Sequence, residues 1–214
     1  RVLLVDADPQ TNLTALTPIE PNTVNISLYE VLNGTPAAEA IYNAGNNLDI
    51  IAGSLNLAQA DLEFTGVGKE YMLKKAIDPI KKQYDYIIID TPPTLSLLTV
   101  NAWTASNSVI LPKRADLHSL RGFVQLQGLI DNVREYTNKS LNVDGFIINH
   151  YRRNTLISRE LKEQIEQAAK SLNTSLYKTP IRESIKATEL QILKQSIYDA
   201  YPKEEITKDC TLLL

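Results

Sequence analysis

The stretch Tyr84-Asp85-Tyr86-Ile87-Ile88-Ile89-Asp90-Thr91-Pro92-Pro93 leaves the chain few folds to choose from. Three consecutive isoleucines between aromatics read as a strand buried on both faces of a parallel sheet, where apolar runs are continuous rather than alternating. Proline gives no N–H to a ladder, so the chain turns where Asp90 emerges. Ligands of open α/β sheets sit beyond the carboxyl ends of the strands. A carboxylate at such a tip can hold Mg2+, commonly through water. Arg1-Val2-Leu3-Leu4-Val5-Asp6-Ala7-Asp8-Pro9-Gln10 has the same form. For either stretch alone the plainer reading is an acid that caps a turn or helix. Two strands delivering Asp6, Asp8 and Asp90 together favour a shared site for a divalent metal and phosphate.

The spacing of other apolar runs extends the α/β alternation. Strands are predicted at 48–53, 108–111 (closed by Pro112), 143–149 and 175–178. Helices are predicted at 27–32, 36–42, 56–64, 69–83 (shortened at Pro79), 96–105, from about 117 to 136, 158–172 and 204–214. In the 69–83 segment Lys74, Lys75, Lys81 and Lys82 lie opposite Met72, Leu73, Ala76, Ile77 and Ile80. That pattern is a solvated helix face diluted by Glu70 and Asp78 rather than a nucleic-acid patch. The 214 residues suit one domain, so residues 1–214 are expected to form a single nucleotide-binding unit of doubly wound, mostly parallel α/β architecture with helices on both faces.

Composition removes several classes. Cys210 is the only cysteine, which excludes an internal disulfide and a subunit that supplies two thiolates to an iron–sulfur cluster. With two histidines besides, a His/Cys zinc site has too few donors. No apolar run is long enough to span a bilayer, and no signal peptide is visible. Net charge is −3, so any DNA binding has to come from a local basic patch.

Val5-Asp6-Ala7-Asp8-Pro9-Gln10 resembles the second nucleotide motif (Walker A-prime) of the ParA/Soj chromosome- and plasmid-partition ATPases, and Ile88-Ile89-Asp90-Thr91-Pro92-Pro93 resembles their Walker B. The likeness continues through Leu97-Leu98-Thr99-Val100-Asn101-Ala102, Ala105-Ser106-Asn107-Ser108-Val109-Ile110 and Ile181-Arg182-Glu183-Ser184-Ile185. It implies a P-loop NTPase-like fold. One element departs from the family: no G-x-x-x-x-G-K-[ST] loop occurs, and Gly66-Val67-Gly68-Lys69 lacks the first glycine and the final Ser/Thr. The expectation is an N-terminally truncated sequence without its first strand, phosphate loop and first helix, inactive as given. The alternative is a non-catalytic DNA- or protein-binding module of the same fold.

The resemblance further implies roles. Asp8 would be the catalytic acid near the attacking water. Asp6 and Asp90 would support Mg2+, with Thr91 and Pro92 fixing the turn. Asn149, at the end of a strand, would meet adenine, or else close an Asx turn. Ile181 and Arg182 belong to the loop over the base, read as running from 180 to 189. Arg152, Arg153, Arg182 and Lys186 would contact DNA phosphates without reading bases. The cofactors implied are ATP and Mg2+. The partners are a second copy in an ATP-dependent homodimer, non-specific DNA and a ParB-like centromere-binding protein, with no membrane. The location implied is cytoplasmic and nucleoid-associated.

Overall fold

The computed structural model describes residues 1–114, 122–152 and 156–213. The chain divides into two compact units, one formed by 1–106 with 133–139 and the other by 107–132 with 140–214.

The first unit carries β1 (Val2–Asp6), α1 (Asn12–Ala15), α2 (Leu28–Leu32), β2 (Ile41–Gly45), β3 (Leu48–Ile51), α3 (Ala60–Glu63), α4 (Met72–Ile77), β4 (Tyr86–Asp90) and α5 (Leu97–Ala105). Its sheet has the order β2-β3-β1-β4, parallel except for the β2–β3 hairpin. Leu3 and Val5 of β1 and Ile50 and Ile51 of β3 are fully buried, as apolar runs in a central parallel strand require. β4 departs from expectation. It pairs with β1 along one edge only, and Tyr86 and Ile88 are 71% and 54% exposed, so the triple isoleucine is not buried on both faces.

Two other readings are corrected. The helix predicted over 36–42 is a short 3-10 turn, Ala37–Ala40, that runs into β2. Ile41 and Tyr42 favour a strand, and Asn46-Asn47, with Asn47 at φ 57°, closes the hairpin onto β3. The helix predicted over 69–83 is three pieces: a 3-10 turn at Lys69–Tyr71, then α4, then a 3-10 turn at Lys81–Gln83 beyond Pro79. Buried Asn101 of α5 stitches this region together. Its amide oxygen accepts from the Leu73 N–H at 3.0 Å, and its amide nitrogen donates to the carbonyls of Lys69 and Leu97.

The second unit carries β5 (Ser108–Arg114) paired in parallel with β6 (Asn142–Asn149), most of α6 (Phe123–Tyr136), α7 (Leu156–Ser171), α8 (Ile185–Leu193), α9 (Ile197–Ala200) and α10 (Glu205–Thr211). Phe146 and Ile148 of β6 and Ile165 and Ala169 of α7 are in its core. Pro112 does not end β5. It sits opposite Ile147 in a strand that pairs along only one edge among the described residues, where a missing N–H is tolerated. The strand expected at 175–178 is a single bridge, Phe146 to Leu176. The loop expected over 180–189 gives way at Ile185 to α8, whose cap Ser184 accepts from the Lys186 N–H. No helix of the described residues is long and apolar enough to cross a membrane.

Candidate nucleotide site

β1 and β4 run parallel with Asp6 opposite Asp90, so both acids leave the same carboxyl edge of the sheet. The Ala7 N–H donates to the Asp90 carbonyl at 2.9 Å and carries the pairing past the last strand residue. Asp8 follows two residues later, half-buried. Its carboxylate accepts from the Gln10 N–H at 2.9 Å in an Asx turn, and its carbonyl accepts from the Thr11 N–H. Thr11, at φ 55°, turns the chain into α1.

Asp6 is fully buried, and its carboxylate is heavily engaged. It accepts from the Thr14 N–H at 2.7 Å, the Thr14 hydroxyl at 2.6 Å and, more weakly, the Asp8 N–H at 3.3 Å. The Thr14 oxygen in turn accepts from the buried Gly53 N–H at 2.9 Å. A Cβ at position 53 would lie 2.9 Å from the Asp6 carboxyl carbon, so the close approach requires glycine. Sequence reasoning missed Thr14 and Gly53. No local pattern ties position 6 to 14 or 53.

The electrostatics of this edge are those of crowded acids. Burial pushes the Asp6 carboxyl above its ordinary range, against the hydrogen bonds from Thr14 and Asp8. Asp90 is also pushed up, first by desolvation and then by the charges of Asp6 and Asp8. No basic side chain among the described residues pairs with any of the three. Nor do the described residues contain a cluster of three or more His, Cys, Asp or Glu arranged to hold a metal by themselves. Mg2+ in phosphate sites needs only one or two carboxylates, the rest of its shell being water and phosphate oxygen. Uncompensated negative charge with an open carboxylate on Asp90 fits such an ion; Asp6, enclosed by Thr14, fits a supporting position.

In the second unit Asn149 ends β6. Its amide oxygen accepts from the His150 N–H at 2.8 Å, and His150 follows at φ 53°. The Ile181 N–H donates to the Ile148 carbonyl, and the Ile181 carbonyl accepts from the Tyr151 N–H, so both backbone groups are engaged. Three of the proposed DNA residues, Arg152, Arg182 and Lys186, are paired with acids. Arg152 makes a two-pronged pair with Glu183, which holds that carboxyl below its usual range. Arg182 grips the buried Asp209 at 2.6 and 2.8 Å and reaches Glu205 at 3.4 Å. Lys186 meets Glu189 at 3.0 Å and lies over the Tyr201 ring. Arg153 lies outside the described residues. Asp209 is the partner that sequence reasoning missed, because it sits in a segment read only as an amphipathic helix.

Parallel strands that bring acids to one carboxyl edge, within an α/β chain, are the layout of the P-loop NTPase-like fold class. A family described as an AAA domain matches residues 1–143. The sporulation initiation inhibitor protein Soj of Bacillus subtilis is 36% identical over 192 residues, which are 88% of this chain and 75% of Soj. The chromosome partitioning protein ParA of Myxococcus xanthus is 33% identical over 168 residues, 77% of this chain and 59% of ParA. Cobyrinic acid a,c-diamide synthase of Mycobacterium smegmatis, solved with a bound ATP analogue and magnesium, superposes with a TM-score of 0.79 at 28% identity, covering 95% of this chain and 84% of that one. The chain belongs to the ParA/Soj family of partition ATPases.

Proposed function

We propose that the protein is an ATPase that partitions DNA, forming a homodimer with ATP, coating DNA without sequence preference, and reset by a ParB-like partner at a centromere site. Residues 1–214 act as one nucleotide-binding domain in the cytoplasm, on the nucleoid. The observation that carries the reading is the register of Asp6 against Asp90 at the shared strand edge. Asp8, next to this pair, orients the attacking water and takes part in its proton bookkeeping. Asp90 would hold Mg2+ through water, with Asp6 behind it; the ion would supply charge neutralisation for the phosphates. The resemblance assigns Asn149 and the loop at Ile181 and Arg182, in the second unit, to adenine.

For DNA the pairing pattern ranks the contacts. Arg152 and Lys186 are held by exposed acids and exchange readily for phosphate, since exposed pairs are weak. Arg182 is tied to a buried carboxylate and serves mainly to fix its loop. Arg153 is proposed from the sequence alone. Residues 1–214 contain no glycine-rich phosphate loop, so a polypeptide of these residues alone is expected to give no ATP turnover.

The test uses the intact gene product in a salt series of DNA binding, with and without a non-hydrolysable ATP analogue. Binding that requires the nucleotide and falls steeply with salt is expected, and Arg152→Ala should lower the logarithmic salt slope by about one. Asp8→Ala and Asp90→Ala should each abolish turnover. Salt-insensitive binding, or turnover that survives Asp8→Ala, would overturn the reading.

A further inference from the structure

The first unit has a second concave feature, separate from the acidic edge. A groove of about 370 Å3 runs between α2, the turn from Gly34 to Ala38, and α4 with the following Pro79. Its floor is apolar, built from Val31, Pro36, Met72, Ala76, Pro79 and Ile80. Its one charged lining residue is Lys75, exposed on α4, whose ammonium has no carboxylate partner among the described residues.

Glu30 of α2 is turned into the capping box of its own helix, accepting from the Ser27 N–H and hydroxyl. The unit thus offers an apolar trough with one exposed ammonium, that of Lys75, in its lining.

We propose that this groove is a docking site for an amphipathic peptide segment of a partner protein, with apolar anchors on the floor and a carboxylate on Lys75. The recognition mode is helix-in-groove, with the charge giving orientation and selectivity. Nucleic acid fits the trough poorly: the lining has no aromatic ring for base stacking, and a phosphate backbone would bury two prolines and a methionine without matching them. Met72 suits an exchangeable partner, since its flexible thioether repacks around different side chains.

Met72 lines the groove, so its methyl resonance, identified by its loss in Met72→Leu, reports on the groove. The probe is a fluorescent amphipathic peptide with leucines on one face and glutamates beside them. Its counterpart carries lysines in place of the glutamates. The acidic peptide should shift the Met72 methyl resonance and bind at least about fivefold more tightly than the basic one. Lys75→Glu, an exposed change that leaves the fold intact, should reverse that order. An unmoved Met72 signal at concentrations that saturate the anisotropy would overturn the proposal. So would equal binding of the two peptides, a preference that survives Lys75→Glu, or a Met72 shift produced by duplex DNA instead.

Discussion

Thr14→Val tests the construction of the acidic edge most directly, because valine keeps the shape of threonine and removes only its hydroxyl. That hydroxyl makes two buried bonds, donating to Asp6 at 2.6 Å and accepting from the Gly53 N–H at 2.9 Å. A hydrogen bond to an ionised group contributes about 1.5–3 kcal/mol, and a buried N–H left without an acceptor costs about 1–3 kcal/mol. The added methyl returns up to about 0.8 kcal/mol of apolar burial. The net loss is about 3 kcal/mol, a large share of the roughly 5–15 kcal/mol that holds a domain folded. Urea unfolding at neutral pH measures it as a lower midpoint with an unchanged slope.

The pH dependence of that loss has a definite sign. Burial raises the Asp6 carboxyl in the folded protein above its ordinary 3.8, so folding takes up a proton as the pH falls through that window. The wild-type Asp6 contribution therefore declines as pH rises from about 3.8 through the folded value, and is level above it. Without the Thr14 donor the folded value moves higher still. The gap between wild type and variant is then widest near neutral pH and narrows in acid. Thr14→Ser keeps the hydroxyl and should recover most of the loss. A deficit below about 1 kcal/mol, a deficit that grows in acid, or a serine variant as weak as the valine one would refute this account of how Asp6 is held.

Two further outcomes check the remaining ionic structure. Arg182→Ala takes the guanidinium away from buried Asp209 and should cost roughly 3 kcal/mol in urea unfolding, whereas Arg152→Ala, at an exposed pair, should leave the midpoint unchanged; equal effects would remove the ranking of DNA contacts. Tyr84, buried and donating to the buried Asp49 carboxylate at 2.9 Å, should titrate at about 12. The stability from its hydrogen bond is full below about 10, the ordinary phenol value, and is lost as pH rises through about 12; ultraviolet titration that shows Tyr84 ionising near 10, against a Tyr84→Phe control, would contradict the buried geometry.

What was legible in the sequence follows from the range of the interaction that decides each element. β1, β4, α5 and β6 rest on local hydrophobic runs closed by turn-forming residues, and the sequence places them within a residue or two. The meeting of Asp6 and Asp90 was legible for the same reason, since two parallel strands ending in acids must present them at one edge. β2 was not, because Ile41 and Tyr42 become a strand only through pairing with Ile51 and Ile50 of β3. The division of 69–83 was not legible in full either: Pro79 announces the end of α4, but its start is set by buried Asn101, far along the chain.

The same distinction separates acids that can act from acids that are occupied. The sequence marks Asp6, Asp8 and Asp90 by motif and passes over Asp209, but shows the partners of none. Burial and partners divide them. Asp209 is neutralised by a guanidinium it can hardly release, and Asp6 is saturated by a threonine and two backbone groups. Asp8 has only its Asx turn, and Asp90 has its proton affinity raised by desolvation and then by the charges of Asp6 and Asp8. A carboxylate with few donors that is repelled by other carboxylates is lower in energy with a cation or a water proton beside it. On the function proposed above, the chemistry of this edge falls to Asp8 and Asp90, with the enclosed Asp6 in a supporting position.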